Sequence, residues 1–194
     1  MTETRTELWL VRHGQTDWNV EGRYQGQADM PLNEIGIKQA RDLAERLRGV
    51  NFAAIYSSDL LRASTTARIL AGDKAVRLEP RLREIHQGEW EGQLFREIRQ
   101  RYAGFFEERK QNPLESRPPG GESLLEVAER VKHCIDEIAS QYPGERVLIV
   151  SHGLAIATVL AAVKGYPLEK AFDLIPDNAD PQIVLWPPDL NGRK

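Results

Sequence analysis

Short runs of continuous apolar residues punctuate this chain, and segments of helical period separate them. Leu8-Trp9-Leu10-Val11, Phe52-Ala53-Ala54-Ile55-Tyr56, Val147-Leu148-Ile149-Val150 and Ile183-Val184-Leu185-Trp186 each predict a strand, and Val76-Arg77-Leu78 a weaker one. Apolar character that is continuous rather than alternating belongs to strands covered on both faces, as in parallel sheets. Ala40, Leu43, Ala44 and Leu47 recur at i, i+3, i+4 and i+7, giving one helical stripe with Asn33 as its N-cap. Ser123-Leu124-Leu125-Glu126 has the form of a capping box, and Leu124, Ala128, Val131, Ile135 and Ile138 extend its apolar face. Residues 60–71 and 154–163 predict two more helices, each directly following a strand.

This alternation of strand and helix implies an α/β fold: a three-layer α/β/α sandwich on a mainly parallel central sheet. Residues 93–119 break the pattern. Leu94, Phe95, Ile98, Tyr102, Phe105 and Phe106 suggest one helix with an aromatic face, and Pro113, Pro118 and Pro119 interrupt the chain beyond it. We expect a small helical cap there, inserted into a single domain spanning 1–194. Residues 189–194 read as a frayed tail.

Composition narrows the function classes. The chain has 194 residues, enough for one well-buried core, and its net charge of −3 gives no sign of a nucleic-acid or membrane-surface partner. No apolar run approaches the roughly 20 residues of a membrane span. The polar segment Met1 to Glu7 has no signal-peptide core, and a single cysteine, Cys134, precludes an internal disulfide. A reducing cytoplasm is the expected setting.

Candidate chemistry collects at strand ends. Leu8 to Val11 runs into Arg12-His13-Gly14, and Val147 to Val150 into Ser151-His152-Gly153. Open α/β sheets bind ligands at the carboxyl ends of their strands. Two imidazoles delivered there, each followed by a glycine that admits a ligand to the backbone, suit a small anion. A third strand ends in Tyr56-Ser57-Ser58-Asp59 and enters a helix with Arg62 in its first turn. Arg12 and Arg62 offer fork-shaped donors for phosphate oxygens, and helix N-termini add backbone N–H groups. The polar stretch around Glu84 is a fourth contributor.

Arg12-His13-Gly14-Gln15-Thr16-Asp17-Trp18-Asn19 resembles the signature of the histidine phosphatase superfamily, also called phosphoglycerate mutase-like. So do Tyr24-Gln25-Gly26, Ser57-Ser58 through Arg62-Ala63, Glu84 through Gly92, Gly120-Gly121-Glu122-Ser123 and Ser151-His152-Gly153. The resemblance runs in order over roughly residues 8–186. It implies that a neutral His13 attacks phosphorus and becomes phosphorylated. Arg12, Arg62 and a cationic His152 would bind the equatorial oxygens, and Glu84 would act as acid and then base. To donate, Glu84 must carry a proton, which burial or the charge of Glu89 would favour. Asn19, Gln25 and Gly26 match positions that contact phosphate or substrate, and Gly153 follows the second histidine. The scheme needs no metal and no cofactor.

The expected substrate is a small phosphorylated metabolite. α-Ribazole phosphate, phosphoserine, a sugar phosphate and broad specificity remain open, as does a homodimer. A compact stretch between Glu84 and Ser123 favours a phosphatase over a phosphoglycerate mutase, whereas His86, two residues after Glu84, is mutase-like. Arg96, Arg99, Arg101, Arg109 and Lys110 offer candidates for a substrate carboxylate or second phosphate, or form an ordinary charged surface. A non-catalytic phosphate-binding module, or a metallohydrolase built on His13 and His152, are the readings from other classes.

Overall fold

The computed structural model of the chain describes residues 4–189. Five strands form one sheet: β1 (Thr6–Arg12), β2 (Ala54–Ser57), β3 (Arg77–Leu78), β4 (Arg146–Ser151) and β5 (Pro181–Trp186), in the order β3-β2-β4-β1-β5. The first four run parallel, and β5 pairs antiparallel with β1 at one edge. Among the described residues seven α-helices accompany them: α1 (Asp17–Glu21), α2 (Glu34–Arg46), α3 (Leu61–Ala71), α4 (Phe95–Arg101), α5 (Ala103–Gln111), α6 (Leu124–Ser140) and α7 (Gly153–Lys164). Apart from Asp189, the expected tail lies outside the described residues.

Successive residues of the inner strands serve two different cores. Leu8, Leu10, Val147 and Ile149 pack with Val131 and Ile135 of α6 and Ile156 of α7. Val11, Ile55, Leu148 and Val150 pack with Leu43 of α2 and Ala63 and Ala67 of α3. Two-sided burial is why the strands are continuously apolar, and it builds the expected three-layer sandwich. The helix starts follow their caps. Asn33 Oδ1 accepts the Gly36 amide at 2.9 Å, and Ser123 and Glu126 bond each other's amides at 3.2 and 2.8 Å. Among the described residues, no helix is long and apolar enough to cross a membrane.

Two elements differ from expectation. The cap segment forms two short helices rather than one, because the backbone leaves the helical region at Tyr102 (φ −113°, ψ 35°). That break lets Tyr24, Tyr102, Phe105 and Phe106 close around the fully buried Trp90, with ring centroids 4.9–5.6 Å from it. The aromatic face of the cap therefore largely packs on Trp90. The second difference is α1, a single turn after β1, started by a capping box of Thr16 and Asn19.

The loop after β1 meets the first turn of α2 backbone to backbone. A Cβ on Gly14 would lie 2.4 Å from the Gly36 carbonyl oxygen, and one on Gly36 would lie 2.1 Å from that of Gln15. Gly14 is thus required for helix packing. Helix propensity alone favours Gly36→Ala by about 1 kcal/mol. The overlap reverses the sign, and we expect the variant to lose ~1–3 kcal/mol in urea denaturation. A stabilised variant would contradict this packing.

Candidate active site

Sheet register builds the centre of the site. β1 and β4 are parallel neighbours with Arg12 opposite Ser151, and the next residue on each strand is a histidine. Adjacent strands lie about 4.8 Å apart, so His13 and His152 leave the sheet side by side, with ring centroids 5.2 Å apart. β2 flanks β4 on its other side, and its end carries Ser58, whose Oγ lies 2.8 Å from His152 Nε2.

Hydrogen bonds assign the tautomer of His13. Its Nδ1 lies 2.7 Å from the Gly14 carbonyl oxygen, which can only accept, so the ring proton sits on Nδ1. Nε2 keeps its lone pair and accepts from Arg62 Nε at 3.2 Å. Burial, reinforced by the Arg62 charge, holds the imidazole well below the ordinary histidine pKa of 6.5 and keeps it neutral. Asn178 Nδ2 donates to the His13 carbonyl at 2.7 Å, and the Ala179 amide donates to Arg12 O at 2.9 Å. The segment before β5 thereby clamps the end of β1.

Arg62 is completely buried in the first turn of α3. Besides His13 it bonds the carbonyls of Gly26 and Ala28, both at 2.7 Å. Burial lowers its pKa to about 10, so it remains a cation at neutral pH. Arg12 donates to the Pro176 carbonyl at 2.9 Å through one terminal nitrogen, while its Nε is buried without a partner. His152 Nδ1 is buried and unpartnered as well. Buried polar atoms are normally bonded. Unpartnered donors of this kind suit the oxygens of an anion.

His152 departs from expectation. Burial, then the charge on Arg62, push its pKa well below 6.5, so it is a neutral donor or acceptor here and not a cation. Glu84 also sits differently. One carboxylate oxygen accepts from the Ile85 and Ala155 amides at 3.0 and 3.2 Å, and the other from Leu154 at 3.1 Å. The N-terminus of α7 therefore holds Glu84 instead of a phosphate, and Glu89 is exposed elsewhere. A proton on Glu84 has to sit on a lone pair facing the pocket.

A chamber of about 670 Å³ adjoins these groups, lined by Arg12, Gly26, Glu84 and Gly153 and by Phe95, Arg99 and Arg109 of the cap, while His13, Arg62 and His152 are buried and are not part of its lining. That volume is typical of small-molecule sites.

The model of the histidine phosphatase superfamily (branch 1) matches residues 8–190. The chain belongs to this superfamily. It is 36% identical over 180 residues to phosphoserine phosphatase 1 of Hydrogenobacter thermophilus, covering 92% of this chain and 85% of that protein. It is 37% identical over 163 residues to GpmB of Cronobacter sakazakii, named for phosphoglycerate mutase, covering 83% and 76%. A mycobacterial glucosyl-3-phosphoglycerate phosphatase solved with VO3 superposes with a TM-score of 0.81 at 35% identity, covering 91% and 90% of the two chains.

Within this histidine phosphatase the residues singled out from sequence divide into two groups. His13, Arg62 and His152 converge, with Arg12 and Glu84 beside them on the chamber. Asn19, Gln25, Gly26 and Gly153 also line the chamber but carry structural duties. Asn19 Oδ1 accepts from Thr16 as part of the α1 capping box, and Gln25 Oε1 accepts from Thr16 Oγ1 at 2.9 Å. Gly26 has φ +52° and Glu91 packed where a Cβ would stand. Gly153 leaves space for Ile175 and the Arg12 guanidinium. His86 bonds the Gly120 carbonyl at 2.9 Å and lies 3.8 Å from Glu91, so it anchors a loop and is not part of the chamber lining. Glu122 accepts from the His86 amide and from Arg130, and Ser123 caps α6, so this motif too is structural.

Sequence reasoning missed Arg130. From α6 it donates to the carbonyls of Arg81, Arg83 and Glu84 at 2.7–3.0 Å and pairs with Glu122 at 2.7 Å, fixing the Glu84 backbone. A lone arginine on a polar helix face gives no signal of this. Phe172 and Ile175 in the chamber wall were also missed, since they lie after α7 with no motif around them.

The neutral buried histidines make stability pH-dependent. Once unfolded they titrate at their ordinary value, so below about pH 6.5 the unfolded chain binds more protons and stability falls. Each imidazole contributes up to ~1.4 kcal/mol per pH unit until its folded pKa is reached. Denaturant midpoints from pH 7 to 5 should fall less steeply in His152→Asn than in the wild type. Equal slopes would mean that His152 is already protonated in the fold.

Proposed function

We propose that this chain hydrolyses small phosphomonoesters by way of a phosphohistidine at His13. The observation that carries the assignment is the bond from His13 Nδ1–H to the Gly14 carbonyl, which leaves Nε2 as a lone pair beside the Arg62 cation. A phosphoryl group entering there meets Arg62, Arg12 and the unpartnered His152 Nδ1, donors suited to its equatorial oxygens.

The His13 Nε2 electron pair forms a bond to phosphorus while the bond to the ester oxygen breaks. Glu84 passes its proton to that oxygen, and the alcohol leaves. Water then attacks phosphorus, Glu84 takes a water proton, and the P–N electron pair returns to His13 as inorganic phosphate forms. In the first step the developing charge lies near Arg12 and Arg62, so the residues named here supply nucleophile, acid and countercharge. Likeness to phosphatases of phosphoserine and of glucosyl-3-phosphoglycerate supports hydrolysis of small metabolites. The mutase reading rests on GpmB. Two short cap helices over a chamber of about 670 Å³ favour the entry of water, and hence the phosphatase.

Phosphate release from a panel of esters in the presence of chelator tests the proposal. The wild type should turn over, and His13→Ala should lose on the order of 10³-fold or more in kcat. Equal rates would remove His13 as the nucleophile, and loss of wild-type activity to the chelator would turn the reading towards a metallohydrolase.

Glu84→Gln separates the acid from the rest. Turnover of alkyl phosphates should drop about 10²–10⁴-fold, whereas p-nitrophenyl phosphate, whose leaving group needs no proton, should lose much less in the burst of nitrophenol. Equal losses on both esters would assign Glu84 a purely structural role at the start of α7.

A further inference from the structure

Glu91 stands in the motif that begins at Glu84, yet it is not part of the chamber lining and has no part in the reaction proposed above. Its segment is fastened to the loop after α1: the Tyr24 amide donates to the Gln93 carbonyl at 3.0 Å, and the Gly92 amide to the Tyr24 carbonyl at 2.8 Å. One carboxylate oxygen, Oε1, accepts the Gln27 amide at 2.8 Å and the Gln87 amide at 3.1 Å. His86 Nε2, at 3.8 Å, is too far to bond that oxygen.

The Gln27 amide belongs to the same peptide unit as the Gly26 carbonyl, which accepts from Arg62 Nη2 at 2.7 Å. A trans peptide is planar and points its N–H and C=O in opposite directions. Fixing the amide on Glu91 therefore aims the carbonyl at Arg62, and the two bonds polarise each other. Two residues on, Asp29 Oδ1 accepts the Leu61 amide at 2.6 Å, so the loop whose carbonyls hold the guanidinium is tied on both sides. Gly26 is left-handed, and a Cβ on it would lie 2.1 Å from Glu91 Oε1, so this space is kept for the carboxylate.

Charge is the lesser part of what Glu91 supplies. Burial lowers the Arg62 pKa, and among the carboxylates that oppose this Glu84 and Asp29 act more strongly than Glu91. Orientation is the larger part. Among the described residues three of the five N–H groups of Arg62 have acceptors, in His13, Gly26 and Ala28, which leaves one on each terminal nitrogen.

We propose that Glu91 is a positioning residue: through the Gly26–Gln27 peptide it orients the Arg62 guanidinium, and with it the two N–H groups left for the phosphoryl group. This rests on the reading of His13 and Arg62 as the phosphoryl site.

Turnover of p-nitrophenyl phosphate tests it, since that leaving group needs no proton from Glu84. Glu91→Ala should lower kcat/KM about tenfold, the value of one hydrogen bond at a charged group. Glu91→Gln, whose amide oxygen can take the place of Oε1, should recover most of that loss. Glu91→Asp keeps the charge but falls short of the Gln27 amide, and should resemble Glu91→Ala. With Arg62→Ala already in place, Glu91→Ala should change kcat/KM by less than about twofold, because its effect passes through that guanidinium. An equal loss in both backgrounds, or a better enzyme from Glu91→Asp than from Glu91→Gln, overturns the assignment. Should Glu91→Ala fail to fold, the order of the other two variants decides. If the wild type releases no nitrophenol, the catalytic reading fails separately, and the ring 15N spectrum of His13 decides instead. The Nε2 resonance, marked by the bond from Arg62, should move in Glu91→Asp and stay in place in Glu91→Gln. Equal behaviour of the two variants overturns the assignment.

Discussion

A guanidinium buried against an imidazole is the constraint around which this molecule is arranged. Arg62 has no exposed surface, and an unpaired charge in that position would cost several kcal/mol. It persists because the Gly26 and Ala28 carbonyls and the His13 lone pair each accept one of its N–H groups. Those three acceptors draw the end of β1, the loop before α2 and the start of α3 to one point. Burial, reinforced by the same charge, keeps His13 unprotonated, and the Gly14 carbonyl keeps the proton on the far nitrogen. A neutral imidazole with a free ring nitrogen next to a fixed cation is an arrangement that water cannot reproduce, since water would solvate both groups.

The remaining parts serve this pair. Parallel register brings His152 beside His13, and Ser58, the residue after β2, bonds its ring. The amides of α7 are taken by Glu84, so the helix N-terminus orients this carboxylate, and in the proposed reaction the countercharge for phosphate falls to the arginines. Arg130 and Glu122 brace the backbone that carries Glu84. One carboxylate thus connects the loop after β3 to the helix after β4, and substitutions in either segment reach the acid through it.

The sandwich was legible because two-sided burial leaves continuous apolar runs, and the helices because Asn33 and Ser123 cap them in recognisable sequence patterns. His13, His152, Arg12, Arg62 and Glu84 stood in ordered motifs at strand ends. The motifs could not convey the division of labour within them. Asn19 and Gly14 match ligand-contacting patterns as well as they match a capping box or a close backbone approach, and only distances reveal the structural duty. The charge state of His152 depends on complete burial and on the neighbouring Arg62, which no local pattern records. Tyr102 broke the expected cap helix because four rings gather around Trp90, a tertiary demand that overrides local propensity.

The central claim is that the phosphoryl group passes through His13. Rapid acid-free quenching during turnover of a phosphomonoester, followed by peptide mass spectrometry, tests it directly. We expect one phosphoryl group, acid-labile and stable to alkali, on the peptide containing His13, with its appearance preceding release of inorganic phosphate. An unmodified His13 peptide throughout turnover, or a phosphoryl group on another residue, would contradict the account.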